Sequence, residues 1–240
     1  RQYLPEGGQA WTTLAELQRN HQPIFREEEP NLLGIGTEPR FAIGQRMQLI
    51  QSAQGNVLWE CMSLINDEAV AKVKSLGHVS AMSMSHPHFF SSIIEWSDAL
   101  GGVPIYVHAA DERWLGRRSK NIVLWQGETL QLSLDVTLIN CGGHFDGSSV
   151  LHWRAGANGK GVLLCGDTIY VVADRRYVSF MRSYPNLIPL AAPAVRQIVE
   201  RVRPFQFDRI YSAWFGAVLK ENAKAALDFS AQRYIRAIAG

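Results

Sequence analysis

Little in this sequence invites a disulfide, a membrane or a nucleic acid. Its 240 residues hold three cysteines, Cys61, Cys141 and Cys165, each in an apolar, strand-like stretch and with no Cys-x-x-Cys spacing. An odd, scattered set of that kind fits reduced thiols in a cytosol better than a disulfide framework. No apolar run approaches the roughly 20 residues that cross a bilayer, and no signal-peptide pattern is legible. A cytoplasmic location without a membrane partner is therefore expected. The formal net charge is only +2 and no block of Lys and Arg occurs, so the phosphate-neutralising surface of a nucleic-acid binder is missing. Neither Gly-x-Gly-x-x-Gly nor a P-loop is present, which leaves nucleotide use without support. The absence of Gly-x-Ser-x-Gly argues against a serine hydrolase. The chain opens on Arg1 rather than Met, which predicts that it is part of a longer one.

What is present is a globular composition: 47% hydrophobic and 19% charged residues exclude a disordered chain. Residues 1–40 read as an irregular N-terminal extension packed on a domain of 41–240. Within it, Trp11–Leu17 could open a short helix capped by Thr12 or Thr13, before Pro23, Glu27-Glu28-Glu29 and Pro30 break regularity, and strand-like structure starts near Leu32 and Phe41. Met47–Gln51 and Asn56–Cys61 flank a polar turn and predict a hairpin. Asn66-Asp67 predicts the cap of a helix closed by Gly77, and Ser91 or Ser92 the start of a second, ended by Gly101-Gly102. Short strands are expected at Val79–Met84, Val103–His108, through Ile122–His152, and at Gly161–Cys165. The remainder reads as mainly helical, with one more strand at Phe207–Ala213 and a closing helix over Asn222–Ala239. Strands interleaved with helices imply a layered α/β architecture, two sheets with helices outside.

The chemistry concentrates where strands give way to loops. Ser85-His86-Pro87-His88-Phe89-Phe90-Ser91 follows an apolar run, and alternate side chains at a strand end share a face, so His86 and His88 can grip one metal ion. His144 in Cys141-Gly142-Gly143-His144 and Asp167 in Cys165-Gly166-Asp167 follow in order. A lone histidine is most often just a packed or exposed side chain, but an ordered series of imidazoles and a carboxylate is the donor set of zinc and iron. His108-x-x-Asp111 is a weaker signal that reads as structural, and His152 falls in a strand away from these loops.

These motifs resemble the metallo-β-lactamase superfamily, whose His-x-His-x-Asp-His, Gly-His and Gly-Asp motifs match His86-Pro87-His88, Gly143-His144 and Gly166-Asp167. The resemblance runs from about Arg46 to the C-terminus. Glyoxalase II-like metallo-hydrolases are the nearest style of match. Closer still, Ser85-His86-Pro87-His88 with two aromatics, and Tyr184–Leu190, resemble a bacterial subgroup of the fold with a degenerate second metal site. The resemblance implies an α/β (α+β) fold, a four-layer αββα sandwich. It also implies His86, His88, His144 and Asp167 as ligands of one zinc, or alternatively one iron. Phe90 and Ser91 stand at the second-metal Asp and His positions, and Trp214-Phe215-Gly216 where the family has a final Gly-His-Gly, so a two-metal clamp is not expected.

Three functions follow. The first is hydrolysis of a small ester, thioester or lactone by metal-activated water, with Asp167 as catalytic base. The second is a mononuclear non-haem iron enzyme similar to persulfide dioxygenases. The third is a non-catalytic, metal-stabilised binding domain. A small-molecule substrate is the expected partner. Phe90, Trp214 and Phe215 are expected to wall an apolar pocket. Arg176 and Arg182, beside Tyr184, are expected to reach a substrate carboxylate or phosphate.

Overall fold

Strands that carry apolar side chains on both faces must be covered twice, and this chain covers each of its two large sheets with the other sheet on one face and helices on the opposite face. The computed structural model describes residues 7, 8 and 10–239, so residues 1–6 and 9 of the expected extension lie outside the described residues. The first sheet runs in sequence order: β1 (Gln22–Glu29), β2 (Leu32–Glu38), β3 (Met47–Ile50), β4 (Asn56–Trp59), β5 (Val79–Ser83), β6 (Ile105–His108) and β7 (Ile122–Trp125). Its first four strands pair antiparallel, and β4 to β7 pair parallel. The second sheet contains β8 (Thr129–Gln131), β9 (Val136–Asn140), β10 (Ser149–Trp153) and β11 (Val162–Leu164). Two small hairpins follow, β12 (Tyr170–Val171) with β13 (Val178–Ser179) and β14 (Met181–Ser183) with β15 (Ile188–Pro189). The second sheet is then completed by β16 (Arg209–Tyr211), parallel to β11, and β17 (Val218–Leu219) at the edge.

Three apolar layers hold the stack. Between the sheets, Leu32, Ile50, Val57, Trp59 and Ala81 meet Leu138, Leu151, Trp153, Leu164 and Tyr211. The period of two in each strand sends the alternate residues outward. Leu49, Leu58 and Met82 meet α2 (Asp67–Ser75) and α3 (Ile93–Ala99) through Ala69, Val73, Ile93 and Trp96. Val150, Leu163 and Ile210 meet α5 (Ala192–Val202) and α6 (Ala223–Ala239) through Val195, Ile198, Val202 and Leu227. Helix, sheet, sheet, helix is the expected αββα order. Two smaller helical pieces complete the chain: α1 (Leu14–Asn20), and α4 (Gly156–Gly159), a single turn after β10.

The local signals act as read in most places. Thr13 caps α1 in a reciprocal pair with Glu16, and the Asn66 side chain accepts from Ala69 N–H at the start of α2. Two expectations are corrected. Residues 22–29, expected to be irregular, are β1, the edge strand of the first sheet, which pairs with β2, where strand-like structure was expected from Leu32. Two acids of the triplet that looked like a break are satisfied across the fold, where Glu28 pairs with the buried Arg46 at 2.5 Å and Glu29 with Arg209. Residues 170–189, expected to be mainly helical, form the two hairpins. Short polar and aromatic runs there lack the apolar repeat of a helix.

Candidate metal centre

All the candidate ligands leave the sandwich at one edge. His86 follows β5, His144 lies in the loop from β9 to β10, and Asp167 follows β11. The two histidines of His86-Pro87-His88 do not alternate along a strand as expected. Pro87 opens a short 3-10 turn over Pro87–Phe89, and this turn bends His88 back beside His86. Ser149 N–H donates to Ser85 O at 2.9 Å, tying the second sheet to the first beneath the site.

The side chains converge. His86 Nε2 stands 3.1 Å from His88 Nδ1 and 3.5 Å from Asp167 Oδ2, and His144 Nε2 stands 3.7 Å from Asp167 Oδ2. Tetrahedral ligands at zinc distances of about 2.0–2.1 Å are separated by about 3.3 Å, so these spacings fit one ion. The four donors lie within 4.8 Å of one another, and no other group of three or more such side chains occurs among the described residues. His86, His144 and Asp167 are buried, while His88 opens on the cleft.

His86 and His144 are each aimed by a bond at the other nitrogen. Met181 O can only accept, so His144 Nδ1–H donates to it at 3.0 Å and leaves Nε2 as a lone pair. Ser85 Oγ lies 2.8 Å from His86 Nδ1. His144 Nε2 and Asp167 Oδ1 are buried with no hydrogen-bond partner. Buried polar atoms are normally satisfied, and a cation would satisfy both. Burial and the neighbouring His86 keep His144 neutral, with its pKa pushed down to about 4. Burial likewise holds His86 well below its ordinary value. Neutral imidazole is the form that binds metal. Burial pushes the Asp167 carboxyl up to about 6, against the pull of His144 and His88.

Two supporting acids belong to the site. Glu60 follows β4 with a left-handed φ of 65°, fully buried, and its Oε2 accepts from Ser85 N–H at 3.0 Å. Sequence reasoning missed it; the available signal was one acid inside the apolar run Val57–Met62. Asp111, read as structural, accepts from Gly147 N–H at 2.9 Å and so pins the loop that carries His144. Cys141 and Cys165 are buried, and burial pushes both thiols up, which makes them inert.

Glu60 gives a pH prediction. Burial raises its carboxyl to about 8 in the fold, against about 4.3 in an unfolded chain. Between those values the folded state holds a proton that the unfolded state lacks. Its contribution to stability is therefore complete below about pH 4 and lost as pH rises through about 8. Glu60→Gln keeps the shape without the ionisation. In chelator-treated protein, urea midpoints are expected to shift in favour of the variant between about pH 5 and about pH 9. Parallel midpoints would show that Glu60 is not the titrating group.

The expected substrate contacts divide. Trp214 and Tyr184 line a pocket of about 350 Å³ beside His88 and Asp167. Trp214 Nε1 donates to Ile43 O and Tyr184 Oη donates to Asp167 O. Phe90 lines a second groove on the far side of His88. Three expectations are corrected. Phe215 turns away from the pocket, onto Gly34 and Gly36 and against the guanidinium groups of Arg26 and Arg46. Arg182 Nη1 donates to the Gly143 and His144 carbonyls at 2.9 Å, so it braces the loop that carries His144. Arg176 is exposed, pairs with Asp174 and lies over Tyr177, away from the pocket lining.

No protein-family model matches the chain. A curated relative, "Uncharacterized protein YmaE" of Bacillus subtilis (strain 168), is 48% identical over 240 residues, spanning 99% of this chain and 87% of the relative. The DIM-1 metallo-β-lactamase superposes with a TM-score of 0.66 at 12% identity, over 90% of this chain and 98% of that one. The metallo-β-lactamase SMB-1, in complex with mercaptoacetic acid, superposes with a TM-score of 0.59 at 19% identity, over 91% and 95%. At these identities the likeness of the solved structures is one of fold.

Proposed function

Because the chain belongs to the same family as the Bacillus subtilis protein YmaE and has the metallo-β-lactamase fold, we propose that it is a metal-dependent hydrolase. It acts with a single zinc ion on a small ester, thioester or lactone. The observation that carries this reading is the convergence of three imidazoles and one carboxylate on a common point, with His144 Nε2 and Asp167 Oδ1 left without partners. His86, His88 and His144 would hold the ion, and their three nitrogens favour zinc over the two-histidine, one-carboxylate set of non-haem iron. A zinc ion held there would supply a Lewis acid and would lower the pKa of its water to about 7.

The chain's own residues do the rest. Ser85 and Met181 hold His86 and His144 in the orientation that aims Nε2 inward. Asp167 is ionised above its pKa of about 6 and takes the proton of the attacking water. The water oxygen bonds to the carbonyl carbon. The carbon–oxygen or carbon–sulfur bond then breaks, with its electron pair going to the leaving atom. Asp167 returns the proton to that atom. Trp214, Ile43 and Pro185 cover the pocket and limit water around the reacting carbonyl.

The test is elemental analysis of protein purified without added metal, followed by turnover of ester, thioester and lactone panels. About one zinc per chain, and hydrolysis that chelator abolishes and zinc restores, are expected. Iron with oxygen uptake on glutathione persulfide would move the chain to the persulfide dioxygenase-like reading. Bound metal without turnover would leave a metal-stabilised binding domain, and a site empty of both metals would end both enzyme readings.

A further inference from the structure

Two grooves meet at His88 and Ser91, which line both. The first, of about 350 Å³, runs from Asp167 past Tyr184 to Ile43 and Trp214. The second, of about 330 Å³, runs from Phe90 past Ile94 to Leu115 and Trp114. Trp114 is half exposed at its outer end and packs edge-on against Phe145, which packs edge-on against His88. The candidate metal site therefore sits at the junction of the two grooves.

Neither groove offers a free cation among its described lining residues. The first contains no Lys or Arg. The second contains Arg117, whose guanidinium is engaged by both oxygens of Glu95 and by Ser91 O. Arg182 is engaged by the Gly143 and His144 carbonyls. Away from His88 and Asp167, polar side chains of the first groove are engaged: Gln45 Nε2 donates to Cys61 O at 3.3 Å, and the Ser63 and Ser91 hydroxyls lie 3.3 Å apart. An anionic group carried along either groove, away from the candidate metal ligands, would lose water and find no free cation, whereas an apolar group gains from burial.

We propose that the grooves are two subsites on opposite sides of the reacting carbonyl, and that the substrate is uncharged and apolar at both ends. One groove takes the acyl part and the other the alcohol or thiol part. Which atoms react rests on the hydrolase reading, whereas which groups bind does not.

Binding of non-hydrolysable ketones to the zinc-loaded chain separates the two. The probes are a ketone with a medium-length alkyl chain on each side, the same ketone ending in a carboxylate, and the methyl ketone of one chain. The carboxylate is expected to weaken binding by about tenfold or more. Trp114→Ala, at a half-exposed position, is expected to weaken the two-chain ketone about fivefold and the methyl ketone by less than about twofold. Equal or tighter binding of the carboxylate, or a Trp114→Ala effect that is nil or equal on both neutral ketones, would overturn the proposal. If the neutral two-chain ketone is preferred but no ester is turned over, the hydrolase reading fails and the two subsites stand.

Discussion

His144→Ala is expected to strip the metal from the protein while leaving the fold standing. His144 contributes the one imidazole that comes from the second sheet, so its loss leaves His86 and His88, on a single turn, with Asp167. Outer-shell partners of metal ligands are worth about 10–100-fold in affinity, and loss of a ligand should exceed that, so at least about 100-fold is expected. The fold should survive because the side chain makes one hydrogen bond and otherwise packs only against the rings of the site itself, His86, His88, Phe145 and Tyr184. The bond from His144 Nδ1 to Met181 O is worth about 1 kcal/mol, or about 2–4 °C for a chain of this size. Metal-free variant and metal-free native protein should therefore melt within a few degrees of each other, and only the native protein should gain on adding zinc. His152→Ala is the control. His152 lies in β10, bonds Gln206 O at 2.8 Å and takes no part in the candidate site, so its metal content should be unchanged. Native-level zinc in His144→Ala would remove His144 from the ligand set.

The cluster of candidate ligands was legible because metal chemistry admits few residue types, and those few stood in order at strand ends. The layered fold was legible for a related reason: the apolar run Val57-Leu58-Trp59 and the caps at Thr13 and Asn66 are local signals, and local geometry obeys them. What was not legible depends on partners distant in sequence. Glu27-Glu28-Glu29 reads as a solvated break until Arg46 and Arg209 are brought against it. Arg182 advertises a positive charge, but nothing local says that two carbonyls of the His144 loop already occupy it. Trp214 and Phe215 are adjacent, so one of them faces the pocket only if the other turns away. The close approach of Gly34 and Gly36, which leaves room for the Phe215 ring, decides which. Glu60 is a single acid among apolar neighbours, and only the fold puts Ser85 above it.

Gly166→Ala is expected to lower both stability and metal affinity, through a contact that no ligand makes. Gly166 has a φ of +52°, a conformation that costs an L-residue about 1–2 kcal/mol. A Cβ there would also overlap Ser85 Oγ and stand 2.7 Å from Glu60 Oε1. Both neighbours are buried, Glu60 completely so, and cannot swing into solvent. Strain and overlap together should cost about 3 kcal/mol, which is a fall of about 6–12 °C in Tm. The overlap has a chemical consequence because Ser85 Oγ is the group that aims His86. Displacing it should reduce metal affinity by about tenfold or more, as for other partners of ligating histidines. Gly127→Ala separates the two effects: its φ is +91°, and nothing lies within 4 Å of the added Cβ. That variant should show the backbone cost alone and bind metal as the native protein does. If Gly166→Ala matched Gly127→Ala in metal affinity, Ser85 would not be holding His86 for the metal, and the orientation of that imidazole would have to come from Phe89 and Phe145, whose rings pack against it.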